Sequence, residues 1–115
     1  MAERTATITA LGEAGCFSIT WTGLLNGDTG SAVEIVRGAD KSAQIAGTFG
    51  TGGTIKIQGS NDGTNYVSLT DPQGNAIEKT AASIEQVSEL TRYIMPNVTA
   101  GDATTNLSVT LILRK

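Results

Sequence analysis

Two runs of alternating apolar and polar residues around a polar turn are the feature that most constrains how this chain folds. The stretch is Gly53–Leu69, with the sequence GTIKIQGSNDGTNYVSL. Two isoleucines alternate with polar residues before the turn, and Val67 and Leu69 do so after it. A period of two is typical of a strand with one buried face, and Asn61-Asp62-Gly63 supplies residues that tolerate positive φ between two strands. The stretch therefore predicts a β-hairpin.

Similar alternation recurs along the chain between turns rich in Gly, Asn and Asp. Phe17, Ile19 and Trp21 alternate with polar residues and predict a core strand, and Leu107–Leu113 predicts a closing strand. Seventeen threonines and fourteen glycines favour strands and tight turns over helices. A length of 115 residues fits a single domain, residues 1–115. We therefore expect an all-β protein, an antiparallel β-sandwich of jelly-roll-like type with about eight strands.

Residues 81–90 are the one ambiguous segment. Ile84, Val87 and Leu90 fall at a spacing of three, and Ser83 with Gln86 resembles a capping box. The spacing predicts a short helix near 81–90, with a strand as the alternative.

Charge and hydropathy exclude several classes of partner. The net charge is −3 and the basic residues are scattered, whereas a nucleic-acid binder needs a basic stripe that displaces counterions from phosphates. No apolar run reaches the length of a membrane span, and the first residues lack the apolar segment of a signal peptide. Cys16 is the only cysteine, so no disulfide forms within the chain. We expect neither nucleic acid nor membrane as a partner, and synthesis in a cytoplasm.

The residue types needed for catalysis or cofactor binding are poorly supplied. The chain has no histidine, which removes the commonest general base and metal ligand and all His-dependent triads. The loop Asn61–Asn65 offers oxygen ligands but lacks the spacing and the bidentate Glu of a calcium loop, so a hairpin turn is the better interpretation. The Gly-rich segment 47–53 matches neither a P-loop nor a dinucleotide fingerprint. We expect no enzyme activity, no cofactor and no metal site.

The second half of the chain resembles small virion proteins of tailed bacteriophages, of the head decoration (cement) type. The resemblance covers about 60 of the 115 residues, and its pattern is also similar to discoidin-type, galactose-binding-like sandwiches, which bind sugars or lipids through loops. It is carried by four stretches: Ile55–Tyr66, Asp71–Gly74, Arg92–Ile94 together with Pro96, and Thr99–Asp102.

The resemblance implies a structural protein on the exterior of a phage capsid. Its partners would be the major capsid protein and further copies of itself, in a trimer at or near three-fold positions. A carbohydrate-binding module, or another virion component such as a tail or head-tail connector protein, is the alternative.

Two segments are candidate contact surfaces for the capsid or for another subunit. The first is an extended N-terminal arm, residues 1–5, that extends a neighbour's sheet. The second is a pair of large apolar residues at a turn, which cannot both face one core from a strand. A frayed tail and a buried strand end are the respective alternatives. The candidate residues are Met1, Ala2, Glu3, Arg4 and Thr5 in the arm, and Leu24 and Leu25 at the turn.

Overall fold

Twelve β-strands make up the regular structure of the computed structural model, which describes residues 3–12, 15–35 and 40–114. No helix occurs in these ranges. The strands are β1 (Glu3–Arg4), β2 (Thr7–Ala10), β3 (Cys16–Leu24), β4 (Thr29–Gly30), β5 (Val33–Glu34), β6 (Asp40–Thr48), β7 (Thr54–Ser60), β8 (Val67–Ser68), β9 (Glu78–Lys79), β10 (Ser83–Val87), β11 (Tyr93–Ala100) and β12 (Asn106–Arg114).

The strands form two sheets. The five-stranded sheet has the order β10-β6-β12-β3-β2, and all its pairings are antiparallel. The seven-stranded sheet runs β1-β4-β11-β7-β8, with β5 also paired to β11 and β9 also paired to β7. Its one parallel pair among the named strands is β1 with β4. The expected all-β sandwich is confirmed.

The long strands follow the alternation seen in the sequence. In β12, Leu107, Val109, Leu111 and Leu113 are buried, and the residues between them face outward. The same alternation in β6 buries Ala43 and leaves Gln44 exposed. Because successive side chains of a strand point to opposite faces, each sheet turns one apolar face toward the other sheet.

Trp21 joins the two sheets at the centre of the core. It lies on β3 of the five-stranded sheet and is 1% exposed. Its indole Nε1 donates a hydrogen bond to the carbonyl oxygen of Ser31 at 3.0 Å, so the polar end of the ring is satisfied. Gly30 of the seven-stranded sheet provides the space, because a Cβ there would lie 2.5 Å from Trp21 Cδ1. The predicted core strand is therefore confirmed, and it contacts both layers.

The hairpin predicted over Gly53–Leu69 is present with a short second strand. β7 pairs with β8 through Gln58 opposite Ser68 and Gly59 opposite Val67. Leu69 is buried, whereas Val67 is 65% exposed near the loop end. After the turn at residues 71–75 the chain returns, and β9 pairs with the first half of β7.

The helix predicted near 81–90 is wrong, and the strand alternative is observed. Residues Ser83–Val87 form β10, which pairs with β6. Of the three residues at helical spacing only Val87 is buried, while Ile84 is 64% and Leu90 62% exposed. The partner strand supplies backbone hydrogen bonds and burial that a short isolated helix lacks in water. The predicted number of strands was too low because β1, β4 and β9 have only two residues each and β10 was predicted as a helix.

Candidate interaction surfaces

The N-terminal arm pairs with its own chain. Glu3 and Arg4 form β1, parallel to β4. Arg4 Nε donates to Asp28 Oδ2 at 3.0 Å, and the Arg4 carbonyl oxygen accepts a hydrogen bond from the amide of Ser31 at 2.7 Å. Thr5 is exposed. Met1 and Ala2 lie outside the described residues, and contact between the arm and a neighbour stays a prediction.

The two leucines at the first turn have different environments. Leu24 ends β3 and is 0% exposed within the core. Leu25 is 42% exposed, and its amide donates to Asp28 Oδ2 at 2.9 Å. Only Leu25 of this pair is presented to solvent, so an interface at this turn would use the Leu25 side chain.

The outward face of the five-stranded sheet brings uncharged polar side chains into rows. We call it the flat face. Register places Thr110 of β12 between Thr20 of β3 and Gln44 of β6. That row continues to Thr7 and Ile84 at the two edges. The next row contains Thr9, Ser18, Ile112, Ser42 and Gln86.

The flat face carries few charges. Its outward residues on the five strands include only Asp40 and Arg114 as charged residues, and these form an ion pair with Arg114 Nη2 2.6 Å from Asp40 Oδ2. Ile84 and Ile112 are 64% and 38% exposed on it. A depression of about 400 Å³ lies beside the ion pair, and Ser42 and Ile112 contribute to its lining. Depletion of charge with scattered apolar residues is typical of the central part of a protein interface.

The size of the flat face fits a modest contact with another protein. Strands about 4.8 Å apart with a rise of about 3.3 Å per residue give it an area of roughly 600 Å². A standard protein interface buries about 800 Å² on each partner. A single subunit would therefore bind weakly through this face, and several joined subunits would bind much more tightly.

The polar loop of the hairpin is occupied by its own hydrogen bonds. Asp62 Oδ1 accepts bonds from the amides of Asn65 and Thr64, both at 2.8 Å, and from Ser60 Oγ at 2.7 Å. Asp62 Oδ2 accepts the side-chain amide of Asn65 at 2.8 Å. These donors, led by the Asn65 and Thr64 amides, hold the pKa of the Asp62 carboxyl well below its usual range. Asp62 thus organises a turn, and an incoming ligand would have to displace these bonds.

Asp102 has a similar role at the turn between β11 and β12. Its Oδ1 accepts bonds from the Thr104 hydroxyl at 2.6 Å and amide at 2.9 Å, and its Oδ2 accepts the Thr51 amide at 2.8 Å. The Thr104 hydroxyl is the main cause of a lowered pKa at Asp102, followed by the Thr51 amide. Asp102 therefore ties the loop before β7 to the loop before β12.

Lys41 on β6 is almost fully buried, and the Glu89 carboxylate lies near enough to act on its charge. Lys41 is 2% exposed, and burial lowers the pKa of its ammonium against the opposing effect of the Glu89 carboxylate. Burial acts to raise the pKa of Glu89, but hydrogen bonds from the Thr70 hydroxyl and amide, together with Lys41, lower it. These contacts connect β6 to the segment after β10 and have a structural role.

The described ranges contain neither a metal cluster nor a membrane-spanning helix. No group of three or more His, Cys, Asp or Glu side chains in residues 3–12, 15–35 and 40–114 is arranged to hold a metal ion. Within the same ranges, no helix is long and apolar enough to cross a bilayer.

The sequence alone did not indicate the flat face as a candidate surface. Its alternating residues were visible, including the threonines of β2, but alternation alone does not say which strands are neighbours. The rows around Thr110 depend on pairings between residues distant in sequence.

Comparison with known proteins supports the fold. No protein-family model matches the chain, and no curated protein sequence matches it. The crystal structure of the SPBc2 prophage-derived protein YomS matches with a TM-score of 0.59 and 12% identity, over 92% of this chain and 100% of that one. The cupin domain of Cnp3 from Schizosaccharomyces pombe matches with a TM-score of 0.49 and 6% identity, over 96% of this chain and 59% of that one. At such low identity the likeness to the prophage-derived protein establishes a shared β-sandwich fold.

Proposed function

We propose that this protein is a structural component of a bacteriophage virion, a decoration or cement protein that binds the exterior of the phage head. Its partner is the major capsid protein, and its role is to stabilise contacts between capsomers without catalysing a reaction. It is made in the host cytoplasm and acts on the assembled capsid. The observation that carries the proposal is the flat face, whose outward residues are uncharged apart from the ion pair of Asp40 and Arg114.

A broad sheet face built from five paired strands suits a protein surface better than a small ligand. The side chains around Thr110 come from strands held in register by antiparallel pairing, so little conformational freedom is lost on binding. Because about 600 Å² is a modest area, we propose that copies act together as a trimer at or near three-fold positions, where symmetry converts weak contacts into avidity. Leu25 is a second apolar contact point at the end of the sandwich.

Two similarities support the phage assignment. The stretches Ile55–Tyr66 and Arg92–Ile94 resemble head decoration proteins, as described above. A prophage-derived protein shares the fold along its whole length.

Carbohydrate binding and a tail or connector role are the competing proposals. The galactose-binding-like sandwiches that the chain also resembles bind sugars through loops, and the polar hairpin loop here is organised around Asp62. Four hydrogen bonds from neighbouring groups already occupy the oxygens of that carboxylate. The geometry therefore favours the flat face over the loop as the binding surface.

Sedimentation with undecorated capsids tests the proposal. We expect the wild-type protein to sediment with the capsids. Thr110→Arg should weaken binding at least about tenfold, because an uncompensated charge at the centre of an interface costs more than about 1.4 kcal/mol. The matched control is Met95→Arg, which adds the same side chain to the outward side of the other sheet, opposite Gln58, and should bind normally.

Each alternative outcome is informative. No sedimentation of the wild-type protein would refute capsid binding, and association with tails would assign it to the tail. Equal binding by both variants would show that the flat face is not the contact. Glycan binding that is lost on substitution of Asp62 or Tyr66 would favour the carbohydrate-binding alternative.

A further inference from the structure

Strand β2 is an open edge of the five-stranded sheet. All four of its residues, Thr7–Ala10, are exposed, and β3 is its neighbour on one side. The surrounding segment Thr5–Gly12 contains no charged residue and no proline. Ile8 is 60% and Leu11 38% exposed. Natural proteins usually protect such an edge with charges, proline or a covering segment, because an open edge pairs readily with another strand.

The other edge of the same sheet is protected. β10 carries Glu85, whose carboxylate lies 2.8 Å from Lys79 Nζ of the opposite sheet. The chain just after β10 is held by a hydrogen bond from the Ser88 amide to the Thr70 carbonyl oxygen at 2.9 Å. The contrast between the two edges indicates that β2 is available for pairing.

The direction of the free backbone groups on β2 follows from one hydrogen bond. The Leu11 amide donates to the Cys16 carbonyl oxygen at 2.9 Å, so it points toward β3. Because backbone groups alternate along a strand, the N–H and C=O groups of Thr9 and Thr7 also point toward β3, and those of Ile8 and Ala10 point away. The strand thus presents two donors and two acceptors at its open edge.

We propose that β2 pairs with β2 of a second copy of this chain, antiparallel and about a two-fold axis at Thr9. In this register Ile8 of each copy lies opposite Ala10 of the other, and the four free donors and acceptors of the two strands form four hydrogen bonds. The pattern is self-complementary, as a two-fold contact requires. It extends two five-stranded sheets into one continuous sheet, and the side chain of Ile8 gains apolar contact.

Neighbouring registers are less favourable. An axis at Ile8 would pair Ala6 with Ala10, but the Ala6 amide already donates to Ser31 Oγ at 3.1 Å. An axis at Ala10 would use Gly12, which lies beyond the strand in a bend. Only the register centred on Thr9 uses the free groups of the strand itself.

The contact is small and independent of capsid binding. Four hydrogen bonds and the Ile8 side chain of each copy make a weak association in solution, which strengthens when copies are held close together. A two-fold contact is also distinct from the proposed three-fold one. On a capsid it would connect subunits of adjacent trimers.

Disulfide trapping at Thr9 tests the register directly. In the proposed pair Thr9 faces its own symmetry mate at a non-hydrogen-bonded position, where Cα atoms are about 4.5 Å apart, within reach of a disulfide. The experiment uses the full chain with Cys16→Ser, so that the introduced thiol is the only one, at millimolar concentration with a mild oxidant. Thr9→Cys should form a covalent dimer at least about tenfold faster than the matched variant Thr7→Cys. In this register the two copies of residue 7 are about 14 Å apart along the strands.

Proline at position 8 provides the second measurement. The Ile8 amide points away from β3, so Ile8→Pro removes no hydrogen bond within the subunit, and edge strands tolerate proline. We expect this change to reduce disulfide formation by Thr9→Cys to the Thr7→Cys rate, while thermal unfolding shows a folded monomer. Equal rates for the two cysteine variants, or no effect of proline in a folded chain, would overturn the proposal. The rates of disulfide formation are measured without capsids. They therefore test the β2 pairing even if the protein does not bind capsids.

Discussion

Adjacent leucines at the end of β3 give a sharp test of the fold and of the proposed contact surface. Leu24 is 0% exposed and lies opposite Leu107 of β12, which is also buried. Leu25 is 42% exposed, and its hydrogen bonds with Asp28 involve only its own backbone. Alanine at position 24 should therefore leave a cavity, while alanine at position 25 should keep the turn intact.

The expected effects differ about threefold in free energy. Leu24→Ala should lower the free energy of unfolding by about 3 kcal/mol, near the lower end of values for fully buried leucines. The unfolding entropy of a 115-residue chain is about 0.24 kcal/mol per kelvin, so Tm should fall by about 12 °C. Leu25→Ala removes a half-buried side chain and should cost at most about 1 kcal/mol, or about 4 °C.

Thermal unfolding followed by circular dichroism measures the Tm of both variants, and urea titration at fixed pH measures their free energy of unfolding. Equal losses of stability, or a larger loss for Leu25→Ala, would refute the assignment of Leu24 to the core and Leu25 to the surface. The same proteins separate stability from binding in the capsid assay. Leu25→Ala should bind capsids more weakly although it remains folded, if its side chain contributes to the interface.

Two further changes test packing and turn electrostatics. Gly30→Ala places a Cβ 2.5 Å from Trp21 Cδ1 and should lower the free energy of unfolding in urea by about 1–3 kcal/mol. Gly12→Ala should be nearly neutral, because apart from its chain neighbours no described residue has an atom within 4 Å of the added Cβ. The pKa of Asp102 is lowered in the folded state, chiefly by the Thr104 hydroxyl, so its contribution to stability is present above the unfolded pKa of about 4 and is lost as pH falls below it. Urea midpoints measured from neutral to acidic pH should therefore fall, and Asp102→Asn should make that fall shallower.

Local sequence was sufficient to predict which side chains are buried where a long strand has one buried face. The alternation in β12 and β7 predicted which residues are buried, and Trp21 was correctly placed in the core. The apolar side chains there stabilise the fold mainly through the area they remove from water. Because they all lie on one face of the strand, apolar residues recur at every second position of the sequence.

Local sequence failed where pairing with a distant segment decides the conformation. The spacing of Ile84, Val87 and Leu90 fits a helix, yet Ser83–Val87 pairs with β6 and forms an edge strand. The two-residue strand β4 has no pattern of its own and exists because β11 lies beside it.

The sequence by itself determined the all-β class, the faces of the long strands and the positions of the turns, because these depend on side-chain periodicity and local backbone preference. Tertiary structure decided the order of the strands, and with it both surfaces proposed for binding. Thr20, Thr110 and Gln44 become neighbours only through the register of three strands. β2 is an open edge because it pairs with β3 on one side, while no described strand pairs with its other side. Such arrangements depend on hydrogen bonds between segments far apart in the chain, which no local pattern encodes.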